Sequence, residues 1–379
     1  MGNIRILYSN ICMSTTFAGL LELIRVNNFH LILLQEVRLT NDELNCMVSR
    51  LGYSAEVNID IEVTSRPGTA VIWKDLLPVD NVVTIVPSRA QAVVLGSLII
   101  FNVYGPSGSD KKKERNIFFG HDMFTAFQLF PNSDYILSGD FNCLLSPLDV
   151  ENGTGFKQKL CLPLKDLIFS HSLVDIFRLH NPRVQEFTFF RPGKAASRLD
   201  RFYASLSLSE SARVTHIASL SDHCGTYLKL SVDLKLLFRI NIRRTTYWKL
   251  NTAILHEDDF LPSFTKFWKD ISKSKSLYND IADWWDLVAK PEIKQFCINF
   301  SSLRKHKRND TLMFLFSYLK VVLADKNWLE VGRIRERIKQ MLFQDSMGVI
   351  VRSQYQQNSE EEKGSLFHAA RENKIVKIT

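Results

Sequence analysis

Long apolar runs are what this 379-residue chain lacks first. Its longest nearly apolar stretch, Val93 to Tyr104, is interrupted by Gly96, Ser97 and Asn102 and is too short to cross a bilayer, so no membrane association is expected. The opening residues MGNIRILYSN have no extended apolar core of a secretory signal, and Ile6 stands where a myristoylation signal needs Ser or Thr. Neither secretion nor acylation is therefore expected. Cysteine is scarce and scattered: Cys12, Cys46, Cys143, Cys161, Cys224 and Cys297 form no C-x-x-C pair, which excludes a zinc cluster and suits reduced thiols inside a cell. No tandem repeat of useful length is visible either.

What is present is a soluble composition, 45% hydrophobic and 23% charged, with ample length for a buried core. The charge is unevenly placed. Residues 1–235 carry 23 basic and 23 acidic side chains, whereas residues 236–379 carry 25 and 17, so the whole net charge of +8 lies in the C-terminal part. Such a segment suits a nucleic-acid partner, because Lys and Arg neutralise phosphates without reading sequence, although a solvated helical surface has the same composition. Arg304, Lys305, Lys307 and Arg308 around His306 also suit a nuclear address.

Up to about residue 233, short β-branched runs alternate with amphipathic stretches, the pattern of an α/β fold. The pattern predicts strands at 4–8, 30–34, 69–73, 82–86, 92–96, 98–103, 135–137, 187–190, 199–203 and 226–230, and helices at 17–26, 42–51, 115–130 and 160–171. Short turns between strands argue for antiparallel pairs mixed with helical crossovers. Beyond residue 236, Leu312, Leu315, Leu319, Leu323, Ile334, Ile338 and Leu342 recur every three or four residues, which predicts a mainly helical region. Two domains follow, 1–235 and 236–379. Trp248, Trp268, Trp284, Trp285 and Trp328 fit either a helical core or stacking platforms for bases.

Chemistry concentrates where carboxylates and amides follow apolar strands, since ligand sites in α/β proteins gather at strand ends. Asn10 closes IRILYSN, Glu36 follows LILLQ, and Tyr104 precedes the Gly-Pro that ends IIFNVY. Asp140 and Asn142 sit in SGDFN, Asp200 in SRLDR, and Asp222 and His223 in SDH. Each alone has a plain structural use as a turn cap or ion pair. Together Glu36, Asp140, Asn142 and Asp222 supply the oxygens that a hard cation such as magnesium takes, and His223 can carry positive charge opposite a phosphate.

This ordered set resembles the endonuclease/exonuclease/phosphatase superfamily, which includes exonuclease III, apurinic endonucleases and deoxyribonuclease I. The resemblance covers residues 3–233. The wording GTAVIW, EFTFFRPG and SRLDRFYAS is closest to the endonuclease of LINE-type retrotransposons. YWKLN, Trp284-Trp285 and IKQFC look like the linker before a reverse transcriptase in such polyproteins, and GVIVRSQYQ and LFHAARENK look like that linker's last part. The reverse transcriptase itself is absent.

The resemblance implies a four-layer α/β sandwich of two mixed, mostly antiparallel sheets, followed by a mainly α-helical region. It implies a magnesium-dependent enzyme, with manganese as a substitute, that nicks DNA, with apurinic-site or 3′-5′ exonuclease activity as variants. Glu36, Asn10, Asp140, Asn142, Asp222 and His223 would surround the metal. Tyr104, Asp140, Asn142, Asp200 and His223 would be catalytic, and Asn10, Tyr104, Thr188, Ser221 and Arg198 would bind or support the substrate. The partner would be DNA, with no membrane and no obligate protein, and the place the nucleus or else the cytoplasm. Two departures stand out: Cys12 replaces a frequent Asp or Asn, and Val150 follows Asp149 where retroelement enzymes often have Arg. The same residues also accommodate an enzyme acting on another phosphoester, or a non-catalytic nucleic-acid-binding remnant. Retention of the polar set argues against decay.

Overall fold

In the computed structural model, Ile4, Ile6 and Tyr8 face one way from the first strand and Leu7 the other, the alternation a pleated strand imposes when both faces are covered. Residues 2–10, 29–60, 62, 67–108, 110–232, 250 and 252–342 are described. The expected helix 17–26, together with Cys12, Trp248 and most of YWKLN, lies outside them, as do the two segments near Gly348 and Leu366.

Twelve strands follow in chain order: β1 (Gly2–Asn10), β2 (Leu31–Val37), β3 (Tyr53–Asn58), β4 (Gly68–Lys74), β5 (Asn81–Val86), β6 (Ala90–Leu95), β7 (Leu98–Tyr104), β8 (Asp134–Asp140), β9 (Leu173–Asp175), β10 (Asp200–Ser205), β11 (Ala212–Ile217) and β12 (Gly225–Val232). They form two six-stranded sheets, ordered β11-β12-β1-β2-β4-β3 and β5-β6-β7-β8-β10-β9. Each sheet has one parallel pair at its centre, β1 with β2 and β7 with β8, and is otherwise antiparallel.

One core lies between the sheets, with Ile4, Ile6, Leu31 and Leu33 meeting Val93, Ile100, Ile136 and Phe202. Helices cover the two outer faces. Helix α1 (Asn41–Val48) starts at a capping box of Thr40 and Glu43 and buries Leu44 and Val48 on Ile32, Leu34 and Ile72. On the other sheet, α2 (Lys112–Ile117), a π-turn (Phe118–Asp122), α3 (Met123–Gln128) and α4 (Leu162–Ser170) bury Phe119, Phe127, Leu164 and Leu167 against Phe101, Val103 and Leu137. This is the expected four-layer sandwich. Of the strands predicted from sequence, 187–190 is not one: Phe189 makes isolated bridges to Ser197 and His223 instead.

The chain divides into two compact units, Met1–Ile242 with Phe316–Glu336, and Arg243–Leu315 with Arg337–Thr379. Residues 316–336, which the sequence pattern groups with the C-terminal region, pack in the first unit. The second unit is helical where described. Helix α5 (Phe260–Ser272) and the early part of α6 (Lys290–Ala324) join through Phe260, Phe264, Phe267, Phe296 and Phe300. The expected stripe is buried throughout, from Leu312 to Leu342. Trp284 is also buried and packs edge-on against Trp268, a core role, while Trp285 is exposed.

Candidate active site

Strand register brings the polar residues to one end of the two sheets. Asp140 ends β8 directly opposite Asp200, the first residue of β10, and Tyr104 ends β7 in register with Asp140. Glu36 sits on a bulge of β2 with φ of 58°, a left-handed backbone that a glutamate rarely adopts. Asn142 turns out of the strand with φ of 49°. Just before Asp140, Gly139 has φ of +155°, and a Cβ there would lie 1.9 Å from the Val103 carbonyl oxygen, so only glycine lets β8 approach β7 this closely. Asn10 ends β1 beside Gln35, and its side chain is outside what is described.

The buried centre is an Asp–His–Asp chain. The His223 ring places Nδ1 3.0 Å from Asp200 Oδ2 and Nε2 3.7 Å from Asp140 Oδ2. The first distance is a hydrogen bond; the second is an ion-pair distance without one. Tyr8 Oη donates to Asp200 Oδ1 at 2.6 Å, and Thr188 Oγ1 accepts the Leu199 and Asp200 backbone N–H groups. Ser221 Oγ accepts the His223 N–H, and Ser219 Oγ donates to the His223 carbonyl. Asn142 donates its backbone N–H to Asp140 Oδ1 and its amide to Asp140 Oδ2 and the Gly105 carbonyl, which fixes the Asp140 carboxylate. Tyr104 Oη donates to Glu36 Oε1 at 3.1 Å. Glu36 and Asp222 are half-buried, so both reach solvent.

These surroundings move the protons. Burial pushes the Asp140 carboxyl up to about 7, with Asp200 and Glu36 acting the same way against His223 and the Asn142 N–H. Burial alone would lower His223, but Asp200, Asp140 and Asp222 outweigh it and raise the imidazole to about 10. His223 is thus an imidazolium at neutral pH. Burial, Glu36 and Asp140 raise the Tyr104 phenol, which stays protonated and able to donate.

One residue, Arg198, lies elsewhere than a substrate-binding role implies, and the buried place of Val150 accords with the doubt its replacing Arg cast on a DNA contact. Arg198 is not at the site's mouth: it is buried, with Nε 2.9 Å from Asp149 Oδ1 and Nη2 2.6 Å from Asp175 Oδ2, so its donors are committed inside the protein. Val150 packs against Leu144 and Leu199, too deep to meet DNA. Tyr8 is the residue that sequence reading missed. Its signal was there, since it lies two positions before Asn10 and a strand repeats its face every second residue. Tyr8→Phe is expected to cost about 1–2 kcal/mol in urea unfolding, because Asp200 loses a buried donor, and to slow turnover with little change in substrate affinity.

Comparisons with known proteins agree with this geometry. Residues 7–223 match the sequence model of the Endonuclease/Exonuclease/phosphatase family. The Transposon TX1 uncharacterized 149 kDa protein of Xenopus laevis is 27% identical over 289 residues, which is 73% of this chain and 21% of that protein. The chain thus spans about a fifth of that relative's length. An AP endonuclease from Archaeoglobus fulgidus superposes with a TM-score of 0.52 at 17% identity, covering 60% of this chain and 100% of that one. The catalytic domain of Xenopus laevis APE2 gives 0.50 at 20% identity, over 60% and 91% of the two chains. These two likenesses are of fold.

Proposed function

Because the chain belongs to the endonuclease/exonuclease/phosphatase family, we propose that it is a magnesium-dependent phosphodiester hydrolase of retrotransposon type that nicks DNA. The observation that carries this reading is the buried His223 ring held by Asp200 on one side with Asp140 on the other, at one end of the two sheets. Hydrolysis of a phosphodiester needs a water that loses a proton and positive charge opposite the phosphoryl oxygens. Asp140, titrating near neutrality, is matched to accept the proton of the attacking water. The gap between its Oδ2 and His223 Nε2 leaves the imidazolium N–H available to a phosphoryl oxygen. Tyr104 Oη, which donates to Glu36, could turn to a phosphoryl oxygen once a cation takes the Glu36 carboxylate, and Asn142 keeps Asp140 aimed.

The donor set fits a hard divalent cation. Asp200, Asp140 and Asp222 act on His223 and Glu36 acts on Asp140, so negative charge is concentrated where a divalent cation would neutralise it. Glu36 and Asp222 are half-buried and reach solvent, so these two, with Asn10 as the family resemblance implies, are the residues that would hold magnesium. The ion when bound neutralises charge on the phosphate oxygens. DNA as partner, with nuclear action, is supported by the transposon relative and by the excess of Lys and Arg after residue 235. No described helix is long and apolar enough to cross a membrane.

The test is nicking of supercoiled plasmid by the full chain with and without magnesium. Magnesium-dependent conversion to the open circle is expected, and its absence overturns the reading. Glu36→Gln is expected to move the magnesium titration to higher concentration, by roughly tenfold, rather than only to lower the plateau, since one charge leaves a site of few oxygens. An unshifted titration would place the ligand elsewhere.

A further inference from the structure

Residues 316–336 come from the C-terminal region in sequence but fold into the first unit, and three of their basic side chains reach the backbone frame of the active site. Lys320 Nζ lies 2.6 Å from Glu186 Oε1 and donates to the His216 carbonyl at 3.2 Å. Lys326 Nζ lies 2.5 Å from Glu151 Oε2. Arg335 Nη2 donates to the Ser221 carbonyl.

The three anchor points share one property. Ser221 is the residue whose hydroxyl accepts the His223 N–H, and its carbonyl immediately precedes Asp222 and His223. Glu186 lies two residues before Thr188, whose hydroxyl holds the Asp200 backbone. Glu151 donates its backbone N–H to the Ala196 carbonyl and accepts the Ala196 N–H on its carboxylate, next to Ser197, which pairs with Phe189 to make a short hairpin with the Thr188 segment. That hairpin is tied to the histidine segment by Cys224 N–H to the Thr188 carbonyl and Phe190 N–H to the Asp222 carbonyl. Leu319, Leu323, Val331 and Ile334 are buried, so the segment is packed as well as tethered. A cavity of about 170 Å³ remains where Leu323 and Lys320 face Phe187, Phe190 and Cys224.

We propose that residues 316–336 form a clamp behind the active site and that Arg335 is a positioning residue, holding the Ser221–His223 loop so that the His223 ring meets the phosphate. The inference deepens the hydrolase reading and rests on it. The lysine pairs are partly exposed, and exposed ion pairs contribute little to stability, so these two contacts act on geometry more than on folding. Arg335 differs. It is half-buried near Asp222, and its Nε is buried with no hydrogen-bond partner among the described residues, a desolvation cost that the Ser221 contact partly offsets. Displacement of a reacting group by about 1 Å costs up to about a hundredfold in rate, so loss of this contact is visible in turnover.

The experiment uses the full chain on supercoiled plasmid with magnesium, alongside hydrogen exchange of the amides from Ser219 to Cys224. Arg335→Ala is expected to lower kcat by about tenfold with KM unchanged and to speed exchange at those amides by a similar factor, and Arg335→Lys, which keeps a donor, to restore most of both. Unchanged kcat and unchanged exchange in Arg335→Ala overturn the clamp. If the wild-type chain cuts no DNA, the hydrolase reading falls, and the exchange measurement still decides the clamp by itself. Should Arg335→Ala not fold, Lys326→Ala at the partly exposed pair serves with the same readouts. A drop in kcat of about threefold supports the clamp, and no change overturns it.

Discussion

His223→Ala is expected to lower DNA nicking by two to three orders of magnitude, about the loss seen when one charge-stabilising donor leaves an enclosed phosphate or oxyanion site. The side chain does two things at once. Its Nε2 lies beside Asp140 and its Nδ1 holds Asp200, so the variant leaves two buried carboxylates facing each other and, on the proposed reading, loses the charge opposite the phosphate. Measurement on the plasmid substrate at matched thermal stability checks this, and activity within tenfold of wild type would remove His223 from the reaction. The same contacts give a stability signature in metal-free buffer. The imidazole is raised from 6.5 to about 10, so the charged form is favoured by folding. Its contribution is fully present below pH 6.5 and is lost as pH rises toward 10. The gap in melting temperature between wild type and His223→Ala should therefore narrow across that interval.

Asp149→Ala is expected to cost about 3–5 kcal/mol of folding stability, the largest loss foreseen for any single site away from the chemistry. Asp149 is buried and neutralises three arginines, with Arg198 Nε and Arg178 Nη2 each at 2.9 Å and Arg201 Nη2 at 3.4 Å. Arg198 and Arg201 are themselves almost wholly enclosed; Arg198 keeps Asp175, but removal of the carboxylate leaves Arg201 buried with no acidic partner among the described residues. Arg201 also donates to the Cys143 and Arg198 carbonyls, which links this network to the loop after Asn142. Urea unfolding at neutral pH measures the loss, and a change under about 1 kcal/mol would show that the arginines find other partners. Burial alone would raise the Asp149 carboxyl, yet Arg201, Arg198 and Arg178 hold it well below the usual carboxylate range. The stabilisation is thus complete above about pH 4 and is lost as pH falls further, so the difference between wild type and variant should shrink in acid.

The residue pattern alone determined the central strands, the outer helices and the polar set at the strand ends. β2, β4 and β7 are buried on both faces over most of their length, so each reads as a nearly continuous apolar run, and the residue that breaks the run, such as Glu36 after LILLQ, is conspicuous for that reason. The three strands the pattern missed, β3, β9 and β11, are sheet edges. An edge strand has one neighbour and a half-exposed surface, so YSAEVN and ARVTHI carry polar residues that conceal them.

Tertiary structure decided the rest, because it depends on residues far apart in the chain. Asp200 meets Asp140 through antiparallel register, and Tyr8 meets Asp200 across 192 positions. Nothing in SRLDR distinguishes Arg198 as a buried ion-pair partner from Arg198 as a phosphate ligand; that follows from where Asp149 and Asp175 fold. Likewise the apolar period of residues 312–342 announces a helix but not its partner. Only packing places Lys320, Lys326 and Arg335 against Glu186, Glu151 and Ser221, since a periodic stripe fixes which face is buried and leaves open what buries it.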